Sequence, residues 1–227
     1  MELRQQYDQI WRRFREIRVV HPTLAAWRGR HRRASLVVRV NDPILFRRLD
    51  RIRAALAGLP FVVPVPDHGL QVPLLELGPV ALRGARAGEL RASDLPDVAE
   101  AIRPLLARTQ PLVVDVSRVN ATESEVFAEL HRAEPLLELQ AQLRAVLSPA
   151  AEGAPPLPWL PLGRFVAAGD APALVRALEW FRDRPIGPIR IGAVTLVVSH
   201  RRARNICQER IVELPLGRER ASVEAAG

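Results

Sequence analysis

Leu70-Gln71-Val72-Pro73-Leu74 and Pro158-Trp159-Leu160-Pro161-Leu162 are two copies of one short pattern in a chain of 227 residues. In both copies aliphatic residues alternate with other residue types, which is typical of a strand that buries one face. Gln71 and Pro73 therefore share one face of a strand, as do Trp159 and Pro161. The pattern predicts two motif strands, over 70–77 and 158–166.

The segments around the motif strands predict an α+β protein whose two halves have a similar order of elements. The two copies are separated by about the length of one small lobe, so each half supplies one motif strand. We expect one bilobal domain over 1–217 and a disordered tail over 218–227. Three helices are expected to begin at Leu3, at Asp42-Pro43 and at Asp170-Ala171-Pro172. Two further helices are expected over 94–106 and 125–147. The expected strands cover 35–40, 111–119, 188–199 and 206–214.

The two copies differ from a known double motif at four positions. With His in place of Gln71 and Trp159, and Thr in place of Pro73 and Pro161, they would read His-Val-Thr-Leu and His-Leu-Thr-Leu. This doubled His-x-Thr-x pattern resembles that of the 2H phosphoesterases, the family of 2'-5' RNA ligases and cyclic phosphodiesterases. The similarity extends over about 33–216 and includes the proline-containing loop before Leu70, the Leu162-Gly163-Arg164-Phe165 continuation and a closing strand pair over 194–199 and 211–216.

The resemblance implies a bilobal 2'-5' RNA ligase-like fold: two pseudo-symmetric lobes of antiparallel sheet, helices packed outside and a central cleft. In active relatives both motif strands face that cleft. One imidazole takes a proton from the attacking group and the other protonates the leaving oxygen, while the threonine hydroxyls hold phosphate oxygens. The reaction opens a 2',3'-cyclic phosphate, or reversibly joins RNA ends, without a metal.

All four chemical positions are lost in this chain. Gln71 cannot shuttle a proton near neutral pH, and Trp159 offers only an indole N–H donor. Pro73 and Pro161 have neither a hydroxyl nor an amide hydrogen. We therefore expect a pseudoenzyme with a degenerate catalytic centre. The competing hypothesis is an active 2',3'-cyclic phosphodiesterase in which His68 or His200 substitutes for the lost histidines.

The expected ligand-binding residues are Gln71, Trp159, Arg164, Arg201 and Arg202. Trp159 has two interpretations: it stacks on a base at the mouth of the cleft, or it fills space left by the discarded site. Arg164 either faces the cleft or solvates its strand. Arg201 and Arg202 belong to a basic run between the last two strands, and a second run over 28–33 is a further candidate for phosphate binding.

Composition favours anionic partners. The net charge is +8, and all 33 Lys and Arg residues are arginine, which pairs with phosphate through a planar fork. Because the arginines are spread along the chain, a compositional bias also explains this charge. The single cysteine, Cys207, excludes an internal disulfide, and no spacing suggests metal ligands, so no metal and no cofactor are expected. No apolar stretch has signal or membrane-span length, so we expect a cytoplasmic protein that does not enter a membrane.

Three hypotheses about function follow. The leading one is a non-catalytic protein that binds RNA ends or a nucleotide phosphate in the former active-site cleft. The second is the phosphodiesterase with substitute residues. The third is a structural or partner-binding protein with a filled cleft, in which Trp11 and Phe14 of the first helix dock on a second chain. The oligomeric state is left open.

Overall fold

The computed structural model describes residues 2–22, 32–81, 84, 88–147, 157–202 and 205–217, with backbone alone for 201, 202, 205 and 206. The predicted tail over 218–227 and most of the basic run over 28–33 lie outside the described residues. The helices within them are α1 (Leu3–Glu16), α2 (Pro43–Ala57), α3 (Leu95–Leu106), α4 (Glu134–Leu147) and α5 (Ala171–Glu179). The strands are β1 (Val19–Val20), β2 (Arg32–Arg39), β3 (Val62–Pro64), β4 (Gln71–Ala81), β5 (Leu90–Arg91), β6 (Leu112–Ala121), β7 (Glu125–His131), β8 (Trp159–Phe165), β9 (Gly169–Asp170), β10 (Gly187–Ile191), β11 (Ala193–Arg202) and β12 (Asn205–Pro215).

The strands form two five-stranded sheets and one small ladder. The first sheet has the order β12-β11-β2-β4-β5 and the second the order β10-β6-β7-β8-β3, while β1 pairs with β9. All pairs are antiparallel except β4 with β5. One motif strand lies in each sheet, and β4 and β8 contact each other across the two lobes. The expected α+β, bilobal architecture is confirmed.

Two expectations about single elements are wrong. The segment 125–147 is not one helix, because Glu125–His131 is strand β7 and the helix begins only at Glu134. Val126 to Leu130 are fully buried on both faces of the sheet, so the strand lacks the alternation that marks a half-exposed one. The predicted strand over 188–199 is also two strands, since Gly192 separates β10 of the second sheet from β11 of the first.

Each sheet has a core face and an opposite face. On β4 the core face carries Val72 and Leu74, and on β8 it carries Leu160 and Leu162, all part of one hydrophobic cluster. Helix α4 contacts β4, and α2 contacts β8. The opposite face, called the motif face below, carries Gln71 and Pro73 in the first sheet and Trp159 and Pro161 in the second.

A β-bulge follows each motif proline at the same position of the pattern. Pro73 pairs with Val37 and Leu75 with Leu36, so Leu74 has no partner on β2. In β8, Pro161 pairs with Phe127 and Gly163 with Val126, which leaves Leu162 without a partner on β7. Proline has no amide hydrogen for the ladder and is tolerated at such irregularities. The two bulges therefore preserve the pseudo-symmetry of the lobes although the motif residues have changed.

The Gln140 side chain supports the first bulge from the core. Its amide nitrogen donates to the carbonyl oxygens of Pro73 at 3.4 Å and Leu74 at 3.3 Å. Gln140 is 1% exposed, so this buried amide belongs to the packing beneath the motif strand rather than to the open face.

Gly169→Ala should destabilise the protein because a Cβ atom there would collide with the Phe61 ring. We expect a loss of about 1–3 kcal/mol in the free energy of unfolding, as for other overpacked sites. Gly192→Ala is the matched control, since a Cβ at Gly192 meets no atom within 4 Å. Urea unfolding of both variants tests this, and equal midpoints would contradict it.

Candidate functional site

The four motif positions lie on the sides of β4 and β8 away from the core, as the strand periodicity predicts. Gln71 pairs with Arg39 and Pro73 with Val37. Trp159 pairs with Glu129 and Pro161 with Phe127. Pro73 is exposed, and Gln71, Trp159 and Pro161 are partly exposed. The two motif faces have different surroundings.

Trp159 is held by its own lobe through both its ring and its nitrogen. The indole stacks on Phe127 with ring centroids 4.7 Å apart and planes at 28°. Its Nε1 donates to Oε1 of Glu125 at 2.8 Å. Both recognition features that a base would use are thus satisfied within the protein, which favours the space-filling interpretation of Trp159.

Arg164 lies on the motif face, opposite Glu125 in the strand pair. Burial raises the pKa of Glu125, while the hydrogen bond from Trp159 and the charge of Arg164 act in the opposite direction. Burial likewise lowers the pKa of Arg164, and the charge of Glu125 partly offsets this. Arg164 therefore has an internal carboxylate as its neighbour and is not a freely available cation.

Helix α1 covers the motif face of the second sheet. Tyr7 is fully buried there, with its ring 5.8 Å from that of His131 and 6.3 Å from that of Phe127. Its hydroxyl donates to the carbonyl oxygen of Pro158, directly before the motif strand, and burial raises its pKa. The sequence predicted the helix but not its position.

The expectation that Trp11 and Phe14 dock on a second chain is wrong. Trp11 is 9% exposed and Phe14 1%, and both pack into the core of their own chain. The Arg182 guanidinium carbon lies 4.8 Å above the Trp11 ring. The apolar face of α1 is therefore used for intramolecular packing.

Glu129, which is fully buried, is at the centre of a polar network beneath α1. It accepts hydrogen bonds from Nη1 of Arg182 and, at 2.9 Å, from Nδ2 of Asn120, and it lies 3.0 Å from Nε2 of His131. Asn120 also donates to the Tyr7 carbonyl oxygen at 2.9 Å, which ties the helix to β6. Sequence reasoning missed Glu129 because the segment was assigned to a helix.

Asp8 of α1 adds a second tie between the helix and the lobe. Its Oδ1 lies 2.8 Å from Nη1 of Arg118 and 3.4 Å from Nη2 of Arg182. The side chains of these arginines are 18% and 6% exposed. The charges at this position neutralise one another within the protein.

An open groove, called the first-sheet groove below, lies over the first lobe and has a volume of about 750 Å³. Arg39, Thr195, Arg210 and Glu213 line it from the motif face of the first sheet, and His68 lines it from the loop before β4. It is also lined by Val40, Asn41, Phe46, Asp67, Gly192, Ala193 and Pro215. Neither this groove nor another depression of similar volume, about 770 Å³, is lined by a residue of the motif strands β4 and β8.

The groove's charges are only partly neutralised. Arg210 lies 3.5 Å from Glu213, and Arg53 lies 2.5 Å from Asp67, so both carboxylates have arginine partners. Arg39 is exposed and forms no ion pair with any residue that the structure describes. Arg39 and His68 are therefore the groove's available donors for an anion.

The two candidate substitute histidines lie in different places. His68, in a short 3-10 turn, reaches the groove. His200 is separated from Val194, Leu196 and Val198 by even numbers of positions and so lies on the core side of β11, facing away from the groove. Arg201 and Arg202 belong to β11 rather than to a loop, and their side chains lie outside the described residues.

Two further features are absent from the residues that the structure describes. No three His, Cys, Asp or Glu side chains there come together as metal ligands. None of the helices described is long and apolar enough to cross a membrane.

The same fold occurs in several solved proteins at low sequence identity. TT0787 of Thermus thermophilus matches with a TM-score of 0.60 and 19% identity, over 82% of this chain and 99% of that protein. E. coli LigT in its apo form matches with a TM-score of 0.61 and 16% identity, over 84% of this chain and 100% of LigT. LigT has also been solved with NADP+, ATP, 3'-AMP and phosphate. A crystal structure described as a phosphoesterase matches with a TM-score of 0.61 and 15% identity, over 82% of this chain and 99% of that one.

These matches define the fold class: the chain has the bilobal fold of LigT and TT0787, two pseudo-symmetric lobes that each supply one motif strand. No protein-family model and no curated protein matches the sequence. Activity and ligand are therefore argued from the residues of this chain.

Glu129→Gln should destabilise the protein strongly. The change leaves the Arg182 guanidinium buried opposite a neutral amide, and breaking a buried pair in this way typically costs about 3–5 kcal/mol. Glu138→Gln, at an exposed position of α4, is the matched control, with an expected change within about 0.5 kcal/mol. Chemical denaturation measures both, and a small effect of Glu129→Gln would contradict the role of the network.

Glu125→Gln should change how stability depends on pH. Because the folded state raises the pKa of Glu125, it binds that proton more tightly than the unfolded chain does. The contribution of Glu125 to the free energy of unfolding is therefore most favourable below its ordinary pKa of 4.5. This contribution is lost as the pH rises through the raised pKa. The variant should match the wild type at low pH and gain in relative Tm as pH rises.

Thermal unfolding across a pH series measures that difference. Glu123→Gln, in the exposed turn before β7, is the control and should give a pH-independent difference from the wild type. A Tm difference for Glu125→Gln that does not grow with pH would contradict the prediction.

Proposed function

We propose that the protein binds a phosphorylated ligand, a nucleotide or an RNA end, in the first-sheet groove without hydrolysing it. The observation that carries this proposal is the groove itself, a cavity of about 750 Å³ on the motif face with Arg39, Arg210 and His68 in its walls. Pockets of roughly 300–1,000 Å³ are typical of small-molecule sites. Arg39, which forms no ion pair with any described residue, and the His68 imidazole suit a phosphate better than a neutral ligand, while Arg210 is already paired with Glu213.

Gln71 lies next to the groove without lining it. It pairs with Arg39 across the two strands, and its side-chain amide can donate to a phosphate oxygen or accept from a sugar hydroxyl. It occupies the position of the first motif histidine. In this interpretation a hydrogen-bonding residue stands beside the groove where a proton-transfer residue would stand in an active enzyme.

The absence of hydrolysis follows from the residues at the motif positions. Two-histidine chemistry needs one group to remove a proton and a second to deliver one. Neither Gln71 nor Trp159 can perform these steps near neutral pH, and the motif prolines cannot replace the threonine hydroxyls. LigT, which shares the fold, binds 3'-AMP and phosphate, and this supports the choice of ligand class.

The binding proposal is tested with 3'-AMP and with a short RNA that ends in a 2',3'-cyclic phosphate, by titration calorimetry at low salt. Arg39→Gln should weaken binding about tenfold, the equivalent of about 1.4 kcal/mol for one charged contact. Arg103→Gln removes the same charge from an exposed site on α3 and should leave the affinity unchanged. Absence of binding to both probes would overturn the proposal.

One observation favours a second candidate function, a 2',3'-cyclic phosphodiesterase that uses His68. This imidazole lies in the same groove as Arg39, so a general base and a phosphate-binding cation share one site. Incubation of the wild type with 2',3'-cyclic AMP separates the two candidates. Turnover that disappears in His68→Gln would establish the second candidate and exclude the non-catalytic one.

A further inference from the structure

A small depression lies between the first-sheet groove and the other large depression of the surface. This small depression, called the neck below, has a volume of about 190 Å³ and lies between residues 38–43 of the first lobe and Ile189 and Arg190 of β10. The neck shares Arg39 with the first-sheet groove. It shares Arg190 with the depression of about 770 Å³, called the outer depression below, which Pro111 and Leu216 also line. The three spaces therefore adjoin one another in the order groove, neck, outer depression.

Gly192 marks the point where the chain passes from the second sheet to the first. It lines the groove and follows Arg190 by two residues, so the two Cα atoms are at most about 7 Å apart. A Cβ atom at Gly192 would meet no atom within 4 Å. The surface at this crossover is therefore open, and Arg190 of the second lobe lies close to the groove of the first.

The neck has two arginines with available donors. Arg39 and Arg190 are exposed, and neither has an ion-pair partner within the described ranges of the chain. The acidic residue of the neck, Asp42, is engaged elsewhere, because its carboxylate accepts from the amides of Ile44 at 2.8 Å and Leu45 at 3.2 Å. The two guanidinium groups can therefore donate to an anion that lies between them.

The sizes of the three spaces indicate what kind of ligand could occupy them together. The groove and the outer depression both fall within the roughly 300–1,000 Å³ that is typical of small-molecule sites, whereas the neck is smaller than that range. A nucleoside unit fits each of the larger spaces. The neck suits a compact linking group, and its two arginines favour a phosphodiester in that position.

We propose that the ligand is an RNA end and that two of its nucleotides are bound. The terminal nucleotide lies in the first-sheet groove, the linking phosphodiester lies in the neck between Arg39 and Arg190, and the next nucleotide lies in the outer depression. This inference rests on the proposed function and names the ligand class of the same site. A dinucleotide bridged by pyrophosphate could fill the same spaces, but it has no terminal phosphate for His68 in the groove.

The experiment compares 3'-AMP with ApAp, the adenosine dinucleotide that carries a terminal 3'-phosphate, by titration calorimetry at several salt concentrations. ApAp should bind about tenfold more tightly, the gain expected from one added charged contact. The log–log salt dependence of its affinity should be steeper by about 0.7, the increment for one more neutralised phosphate of a single strand. Equal affinities would overturn the inference and leave the proposed function standing. Failure of both probes to bind would overturn the proposed function and the inference with it.

A third probe separates RNA from other dinucleotides. Diadenosine diphosphate, in which two adenosines are joined by pyrophosphate, should bind more weakly than ApAp because it lacks the terminal phosphate. Tighter binding of diadenosine diphosphate than of ApAp would overturn the assignment to an RNA end.

Arg190→Gln tests the neck directly. The variant should lose about tenfold in affinity for ApAp and keep its affinity for 3'-AMP, since Arg190 does not line the groove. Arg12→Gln removes the same charge from an exposed site on α1 and should leave both affinities unchanged. Because Arg190 is exposed, we expect the variant to fold with an unchanged Tm. Unchanged ApAp affinity, or an equal loss for both probes, would overturn the inference.

Discussion

A fully buried carboxylate, Glu129, is the constraint on which the second lobe depends. A carboxyl group at zero exposure is tolerated only when hydrogen-bond donors surround it. Arg182, Asn120 and His131 provide them, and they come from different parts of the chain. Asn120 also holds the backbone of Tyr7, so satisfying one carboxylate fixes α1 against the sheet. Polar interactions therefore fix the position of α1 together with the burial of its apolar side chains.

The two lobes share a backbone plan but have taken different roles. Bulges at Leu74 and Leu162 repeat in register, so the strands still present their motif positions on equivalent faces. In the second lobe that face is filled by the stack of Trp159 on Phe127 and by α1. In the first lobe it continues into a groove that includes Arg39. Pseudo-symmetry of the fold thus coexists with asymmetry of the surface, because the backbone geometry does not depend on the identity of the side chains at the motif positions.

The residues at the motif positions have different physical consequences in the two lobes. Gln71 places hydrogen-bonding capacity on a partly exposed face, while Trp159 adds a large ring that the lobe itself packs. Glu125 accepts the indole hydrogen and faces Arg164, which neutralises polar groups that would otherwise need solvent. The residues of the second motif thus take part in structural packing of their own lobe.

The sequence by itself determined the two motif strands, the α+β class and the side of each strand on which the motif residues lie, because strand alternation is local. It also predicted the start of a helix at Asp42-Pro43, where the Asp42 carboxylate accepts hydrogen bonds from the amides of Ile44 and Leu45. Only the tertiary structure decided that Glu125–His131 is a strand, that α1 covers the second lobe, and that His68 rather than His200 reaches a groove. Each of these depends on packing against residues distant in the chain. Where an element is buried on both sides, its sequence loses the alternation of apolar and polar residues that predicts secondary structure.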